Sequence, residues 1–194
     1  TSSLDSTVAA LTCTAGQAAI FDGTDWGCKT ATVERSIKAT HTSILESTGS
    51  VDWMPSIAIG SDGYPMISHG DYTNGELEVY VCTTTDCSSG VNRTLVSSGV
   101  VGYDSSIAIG DDGNPVISYT DQGNVDLRVY ACTAVDCSTG VDRALVTSGT
   151  AGQYTSIAIG VDGNPIIAHF DSANGDLEVY VCTTTDCSSG VNRT

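Results

Sequence analysis

The side chains in this sequence that could do chemistry recur at fixed intervals. His69 and His169 are 100 residues apart, and Tyr119 stands midway between them. A catalytic group is normally present once, so a residue repeated in this way more often packs or lines a repeated surface. The sequence contains no nucleophile elbow, phosphate-binding loop or zinc-protease helix motif. Paired carboxylates for glycoside hydrolysis cannot be singled out either, because each Asp of a repeat has equivalents. We therefore expect no enzyme.

Carboxylates and amides follow each predicted second strand and could bind calcium. Ca²⁺ takes about six to eight oxygen ligands, and the candidate ligands are Asp71, Asp121 and Asp171. Asp, Asn and Gly are also the ordinary residues of turns. We expect turns here and no cofactor, with calcium as the alternative.

The eight cysteines offer a second kind of chemistry, and six of them form identical C-x4-C pairs. The predicted disulfides are Cys82–Cys87, Cys132–Cys137, Cys182–Cys187 and, from the two that remain, Cys13–Cys28. The rival interpretation is a zinc ion shared by the thiolates. It is disfavoured because no His lies near the pairs and the spacing is not that of a zinc finger. Disulfides indicate an oxidising compartment, so we expect an extracellular or cell-surface protein.

These residues belong to a repeat of 50 residues, whose register is marked by Ile57, Ile107 and Ile157. In the first copy we predict strands over residues 56–60, 66–69, 77–81 and 94–98. Asp-Gly between the first two strands is a strong hairpin signal, and the third strand alternates apolar and polar residues. The first is short and apolar, which predicts a strand buried on both faces. Four antiparallel strands per repeat predict an all-β fold of β-propeller-type blades.

One arginine per repeat follows each C-x4-C pair. Arg93, Arg143 and Arg193 have the same offset from an aspartate in the cysteine loop of their own repeat. We expect these arginines to pair with Asp86, Asp136 and Asp186, respectively. Exposed ion pairs of this kind contribute about 0–1 kcal/mol to stability.

The repeat is cut so that one strand is displaced. Residues 43–49 match the fourth strand at 93–99, while the third copy stops at Thr194, where its own fourth strand would begin. We predict that residues 43–49 complete the sheet of a neighbouring copy and so close a ring without open edges. Three blades fall short of the roughly four to eight of propellers, whereas two chains would give six and three chains nine. A third option is that the chain is a fragment of a longer array.

The N-terminal part carries the pattern C-x-x-G-Q-x-A-x-F-D-G-x-x-W-x-C from Cys13 to Cys28, which reads as a hairpin. The pattern resembles the small Cys-bridged module of bacterial trimeric fibre adhesins and phage-tail-fibre-like surface proteins, of the mosaic adhesive trimer type. The match covers these residues only. The resemblance implies a three-fold stem with a recognition domain at its tip, which favours a trimer, whereas blade number favours a dimer. We divide the chain into a stem with linker, residues 1–42, and a repeat domain, residues 43–194.

In a propeller, the segment before the first strand and the loop between the second and third strands open on the same face. The residues before the first strands are Trp53-Met54, Tyr103-Asp104 and Gln153-Tyr154. Aromatic and polar side chains in such places suit stacking on sugar rings and hydrogen bonding to hydroxyls. The candidate ligand-binding residues are Trp53, His69, Tyr72, Tyr103, Tyr119, Gln122, Tyr154, His169 and Phe170. The alternative role of the aromatics is to seal the wedge between blades. Their variation on a constant framework is typical of recognition loops.

The chain is strongly acidic. Seven Lys and Arg against 23 Asp and Glu give a formal net charge of −16, which disfavours nucleic acid and anionic membranes as partners. No apolar run approaches the ~20 residues of a membrane helix. The first residue is Thr, so we expect a leader or more chain upstream.

The sequence therefore predicts an extracellular, non-enzymatic, homo-oligomeric recognition or adhesion module at the tip of a surface fibre, binding cell-surface glycans. The alternatives are a propeller-type glycosidase or polysaccharide lyase, and a purely structural fibre segment.

Overall fold

The computed structural model describes residues 12–14, 17–21, 26–30, 44–47, 50 and 54–194, and this part of the chain is all-β without a helix. It therefore includes no helix that is long and apolar enough to cross a membrane. The chain divides into two compact units, residues 1–42 and residues 43–194.

The first unit contains an antiparallel hairpin of β1 (Gln17–Phe21) and β2 (Trp26–Thr30). The disulfide Cys13–Cys28 joins β2 to the segment that precedes β1. A hairpin this short buries little surface of its own, so the covalent bond is its main internal constraint.

The second unit contains three four-stranded antiparallel sheets, in each of which the strands pair in sequence order. Sheet 1 consists of β3 (Ser56–Ile59), β4 (Pro65–Asp71), β5 (Glu76–Cys82) and β6 (Gly90–Val96). Sheet 2 consists of β7 (Tyr103–Ile109), β8 (Pro115–Asp121), β9 (Asp126–Cys132) and β10 (Gly140–Val146). Sheet 3 consists of β11 (Gln153–Ile159), β12 (Pro165–Asp171), β13 (Asp176–Cys182) and β14 (Gly190–Arg193). The predicted four-stranded repeat is confirmed.

Local chemistry fixes both kinds of tight connection within a sheet. At the β3–β4 turn, Gly63 has a positive φ of 85° and the Tyr64 N–H donates to Asp62 Oδ1 at 3.0 Å, so the Asp-Gly pair supplies the turn as expected. The loop between the third and fourth strands is closed by a disulfide in every sheet. These bonds are Cys82–Cys87, Cys132–Cys137 and Cys182–Cys187, as predicted.

Consecutive sheets pack face to face. We call the face of each sheet that carries Ile57, Ile107 or Ile157 its leading face, and the opposite face its trailing face. The trailing face of sheet 1 packs on the leading face of sheet 2, and that of sheet 2 on the leading face of sheet 3. The first of these cores includes Met66, Leu77, Val79, Ile107, Ile117 and Tyr130. The second includes Val116, Leu127, Val129, Ile157, Ile167 and Tyr180.

Glycine allows the chain to pass closely from one sheet to the next. Gly102 and Gly152, just before β7 and β11, have φ angles of 86° and 91°. A Cβ at Gly102 would lie 2.5 Å from the Glu76 carbonyl oxygen, and one at Gly152 would lie 2.6 Å from Leu127 Cα. Both positions therefore need glycine for its positive φ and for its lack of a side chain.

Within the described residues, no further sheet packs on either outward face of the stack. Ile57 is 63 % exposed, whereas its equivalents Ile107 and Ile157 are 6 % and 9 % exposed. On the trailing side, Leu177 is 76 % exposed, whereas Leu77 is fully buried. The prediction that the first strand of each repeat is buried on both faces is therefore wrong for sheet 1, because no preceding sheet covers its leading face.

The displaced segment at residues 43–49 forms no strand in its described part, residues 44–47. It lies instead against sheet 1, where Asn92 Nδ2 donates to Glu46 Oε2 at 3.2 Å. Further along, the Tyr72 N–H donates to the Ser50 carbonyl at 2.9 Å, as the Gln122 N–H does to the Val100 carbonyl at 2.8 Å. Residue 50 thus occupies the same place beside sheet 1 as residue 100 beside sheet 2.

Arginine–aspartate pairs link neighbouring sheets, which corrects the expectation that they form within one repeat. Arg93 of β6 contacts Asp136 at 2.9 Å, and Arg143 of β10 contacts Asp186 at 2.8 Å. Packing of the sheets brings the fourth strand of one beside the disulfide loop of the next. The interaction therefore stabilises the stacking of sheets and not a single repeat.

We expect Asp186 to make stability depend on acidity. Burial raises the pKa of this carboxyl, but hydrogen bonds from Ser188 and Thr184 and the charge of Arg143 outweigh it and lower the pKa to about 2. The unfolded value is about 3.9, so the stabilisation is complete above about pH 5 and is lost progressively as the pH falls towards 2. Urea unfolding between pH 2 and 6 should show a smaller loss of stability in Asp186→Asn than in the unaltered protein. Parallel curves for the two proteins would contradict the assignment.

Val125 provides a test of backbone strain. Its φ is 59°, while its equivalents Gly75 and Gly175 have φ angles of 70° and 78°. A β-branched residue in the left-handed region costs about 1–2 kcal/mol, so Val125→Gly should raise the free energy of unfolding by about 1 kcal/mol. The matched control is Gly175→Val, where a new Cβ would meet no atom within 4 Å. It should lower stability by about 1 kcal/mol through strain alone. Destabilisation by Val125→Gly in chemical denaturation would refute the strain.

Candidate functional site

Each leading face carries one buried polar set, formed by the second, third and fourth strands. In sheet 1, His69 Nε2 lies 3.1 Å from Asn92 Oδ1, and Asn92 Nδ2 donates to Glu78 Oε2 at 2.9 Å. These three side chains lie on one face because His69 pairs with Glu78 across the β4–β5 ladder, and Asn92 comes from the neighbouring β6.

Sheet 3 repeats this arrangement and fixes the histidine tautomer. His169 Nε2 lies 3.0 Å from Asn192 Oδ1, and Asn192 Nδ2 donates to Glu178 Oε2 at 2.6 Å. The Gly152 N–H approaches His169 Nδ1 at 3.4 Å. Because Nδ1 accepts that hydrogen bond, Nε2 carries the proton and donates it to Asn192. The set is thus a chain of donors and acceptors that ends on the carboxylate.

In sheet 2, different residues form the polar set at the same location. The Tyr119 hydroxyl donates to Asp142 Oδ1 at 2.6 Å, and Arg128 pairs with Asp142 while its Nε donates to the Tyr119 oxygen at 3.0 Å. Burial, followed by the hydrogen bond to Asp142 and its negative charge, raises the pKa of Tyr119. The hydrogen bond to Asp142 raises the pKa of Arg128. The tyrosine is therefore a neutral donor and the arginine a permanent cation.

These sets place three predicted ligand-binding residues in the interior. His69, Tyr119 and His169 are at most 4 % exposed, and each is hydrogen-bonded within its own sheet. The strand alternation turns them towards the neighbouring sheet or segment, which favours packing over an exposed role, and ligand binding by these residues stays a prediction. Tyr119 and His169 satisfy buried polar groups where two sheets meet, whereas His69 Nδ1 has no hydrogen-bond partner among the described residues.

The three candidate calcium ligands cap turns. Asp71 Oδ1 accepts the Thr73 N–H at 2.8 Å, and its Oδ2 accepts Asn74 Nδ2 at 2.7 Å. Asp121 and Asp171 make corresponding bonds in the other two sheets. Among the described residues, no group of three or more His, Cys, Asp or Glu side chains is arranged to hold a metal ion. Turn formation accounts for these aspartates, and calcium binding stays a prediction.

The remaining predicted aromatics form two pairs. The Tyr72 and Tyr103 rings are 4.3 Å apart between centroids and join a loop of sheet 1 to β7 of sheet 2. The Tyr154 and Phe170 rings are 6.4 Å apart within sheet 3. Gln122 is half-buried beside the chain that enters β7. Trp53 lies outside the described residues.

The N-terminal ends of the three first strands, β3, β7 and β11, and the residues just before β3 meet around one opening. It is a cavity of about 300 Å³ lined by Met54, Pro55, Ser56, Asp104, Ser105, Ser106, Tyr154 and Thr155. Met54, Asp104 and Tyr154 occupy the same position of the repeat. One position thus presents a thioether, a carboxylate and a phenol to a shared space, while serines and a threonine form the wall.

Backbone bulges determine the direction of the side chains at this opening. The β7–β8 register shifts between Tyr103 and Ser106, and the β11–β12 register shifts between Gln153 and Ser156. Asp104 and Tyr154, inside these bulges, have φ angles of 49° and 54°. Left-handed conformations in non-glycine residues cost energy and cluster at functional sites, and bulges redirect side chains there.

Hydrogen bonds hold the wall of the opening rigid. The Tyr154 N–H donates to Asp104 Oδ2 at 2.9 Å, and the Thr155 hydroxyl donates to the Asp104 carbonyl at 2.9 Å. Ser56 Oγ accepts the Ile107 N–H at 3.2 Å, and Ser106 Oγ accepts that of Ile157 at 3.2 Å. The hydroxyls are therefore bound to the next sheet, which leaves the variable tip side chains as the adjustable part of the site.

Sequence reasoning missed the role of these hydroxyls. The signal was the serine that recurs at residues 56, 106 and 156, which reads as an ordinary strand residue until the sheets are stacked. A second, smaller cleft of about 230 Å³ lies between sheets 1 and 2, lined by Asp62, Tyr64, Val81, Cys82, Thr83, Val91, Arg93 and Asp136.

No known family model matches this chain, and no curated protein is similar to it. The resemblance of the N-terminal pattern to fibre adhesins therefore stays a prediction.

Exchanging a whole polar set should be tolerated, whereas exchanging one member should not. Arg128→Glu alone places a second carboxylate beside Asp142 and removes a largely buried ion pair, which should cost about 3 kcal/mol of stability. The triple variant Tyr119→His, Arg128→Glu, Asp142→Asn installs the set of sheets 1 and 3. It should fold within about 1 kcal/mol of the unaltered protein. Urea unfolding measures both, and equal losses for the single and triple variants would show that the sets are not interchangeable.

Proposed function

We propose that the three sheets are blades of a β-propeller, completed by further blades from other copies, and that the opening before the first strands is its recognition site. Two arrangements support the propeller. β3 lies beside β7, and β7 beside β11, as the innermost strands of blades do around an axis. Each sheet is also covered by the next through the same face.

Recognition is supported chiefly by the variation at one position of an otherwise repeated framework. Met54, Asp104 and Tyr154 are equivalent residues, yet they differ in shape and charge, while the serines behind them recur. Variable side chains on a rigid scaffold are typical of binding loops. The exposed Tyr154 ring beside the Asp104 carboxylate suits a sugar, whose ring stacks on an aromatic and whose hydroxyls donate to a carboxylate.

The proposed ligand is accordingly a cell-surface glycan, and the module acts in adhesion outside the cell. Four disulfides in the described residues fit an oxidising environment. The net charge of −16 argues against nucleic acid and anionic membrane as partners. The residues that line the opening include one carboxylate, Asp104, whereas a glycosidase normally uses a pair. This favours binding over the glycosidase alternative.

The first unit is proposed to be a fibre stem. Its disulfide-closed hairpin fits the fibre-adhesin resemblance, which implies a three-fold stem and favours three chains over two. Repetition of weak sites around such an assembly would raise the overall affinity through avidity.

A purely structural fibre segment is the second candidate. It is favoured by the burial of His69, Tyr119 and His169 and by the Tyr72–Tyr103 contact between sheets. In that case the aromatics seal the stack and the opening has no ligand.

Binding to a glycan array before and after Tyr154→Ala tests the proposal. Loss of the exposed ring should weaken binding to the recognised glycan about fivefold or more, since one aromatic contact contributes about 1 kcal/mol or more. The control is Tyr64→Ala, which removes an aromatic from the second cleft and should leave binding unchanged. Chelation of calcium should have no effect. Absence of any glycan signal from the assembled protein, or loss through Tyr64 alone, would overturn the assignment of the opening.

A further inference from the structure

We propose that the leading face of sheet 1 in one copy of this chain docks onto the trailing face of sheet 3 in a second copy, through the contacts that join the sheets within the chain. The inference rests on the proposed propeller architecture and names its partner surfaces. Three independent features of the two open faces carry it.

The first feature is apolar surface that is buried everywhere else in the repeat. Ile57 and Ile59 on the leading face of sheet 1 are about 60 % exposed, and Ile166 and Leu177 are exposed on the trailing face of sheet 3. The equivalents of Ile57, Ile166 and Leu177 lie inside the two cores between sheets, and Ile109, the equivalent of Ile59 in sheet 2, packs against the first core. The two open faces are therefore the two halves of an interface that the chain already builds twice.

The second feature is a coordinated loss of hydroxyl groups. Between sheets 1 and 2, the Ser105 hydroxyl donates to Ser68 Oγ at 3.0 Å, and between sheets 2 and 3 Ser118 Oγ lies 2.8 Å from Thr155 Oγ1. Ala168 is the equivalent of Ser68 and Ser118, and Pro55 is the equivalent of Ser105 and Thr155. At the junction between two copies, Ala168 of one copy would therefore face Pro55 of the other. Both hydroxyls are absent together, as they must be, because a buried hydroxyl facing Ala or Pro would lose its partner.

The third feature is charge complementarity. Arg93 pairs with Asp136 in the next sheet, and Arg143 pairs with Asp186. The equivalent ion pair at the junction would join Arg193 of one copy to Asp86 of a second copy. Ser88 N–H and hydroxyl hold Asp86 Oδ1 at 3.3 and 2.9 Å. Ser138 holds Asp136 Oδ1 in the same way at 3.1 and 2.7 Å. The Asp86 carboxylate is therefore oriented as the arginine-binding aspartates are.

The geometry also determines the type of assembly. The two faces belong to different sheets, so the contact is heterologous and the copies join head to tail. A constant rotation from copy to copy around the axis of the inner strands closes such a series into a ring. Each junction would have the composition of a core between sheets.

Cross-linking tests the register of the junction directly. The full chain carrying Pro55→Cys and Ala168→Cys should form an additional disulfide between copies, because the equivalent hydroxyl oxygens within the chain are in contact. Under denaturing, non-reducing conditions, most of the protein should run as a dimer or trimer and return to monomer on reduction. The matched control, Ser68→Cys with Ser105→Cys, should form its disulfide within one chain and remain monomeric. Each single variant should not cross-link.

Native mass measurement of Leu177→Asp provides a second readout. The new carboxylate would be buried in the junction and should raise the dissociation constant of the assembly about 100-fold or more. Val141→Asp is the control, because Val141 stays 41 % exposed although the next sheet is in place. It should assemble normally.

A monomeric unaltered protein, or an assembly in which residues 55 and 168 do not cross-link, would overturn the docking. An assembly that cross-links but binds no glycan would overturn only the proposed recognition function. Cross-linking to a different protein or to a longer product of the same gene would show another occupant and would equally overturn the inference.

Discussion

The structure of the second unit depends on the burial of each trailing face beneath the next leading face. A four-stranded sheet of one repeat cannot bury an apolar face by itself, so stability comes from neighbours. Leu77, fully buried, and Leu177, 76 % exposed, have the same place in their sheets and differ only in having such a neighbour. The glycines at 102 and 152, the hydroxyl pairs and the arginine–aspartate pairs all serve this one contact, since each lies where two sheets meet.

The polar sets of the leading faces show how strictly this contact is constrained. Histidine, glutamate and asparagine in sheets 1 and 3 become Tyr119, Arg128 and Asp142 in sheet 2. Each set pairs most of its donors and acceptors internally, although His69 Nδ1 has no partner among the described residues. A mixture of the two sets would leave further buried groups without a partner. The members therefore differ together between repeats. The histidines look like candidate catalytic or ligand-binding groups in the sequence, but their surroundings explain them as components of packing.

Features decided by a few neighbouring residues could be predicted from the sequence. Asp62-Gly63 specifies its turn, the alternation around Leu77 specifies a strand, and a C-x4-C pair permits few other disulfides. Features decided by the stacking of sheets could not. The pairing of Arg93 with Asp136 instead of Asp86, and the inward direction of His69, depend on which faces meet. The left-handed backbone of Asp104 and Tyr154 likewise arises from a bulge that no local residue signal marks.

At the opening before the first strands, some residues are constrained by the packing of the sheets, whereas others differ between repeats. Ser56 and Ser106 are bound to the backbone of the next sheet, so a change there would disturb the stack. Met54, Asp104 and Tyr154 stand at the tips of the same segments, and their side chains contribute little to the cores between sheets. The packing of the sheets therefore requires the serines of the wall in each repeat, whereas the residue at the tip can differ between repeats. The proposed ring of such repeats would present several distinct side chains to one space, which would suit recognition of an irregular ligand better than a symmetric one.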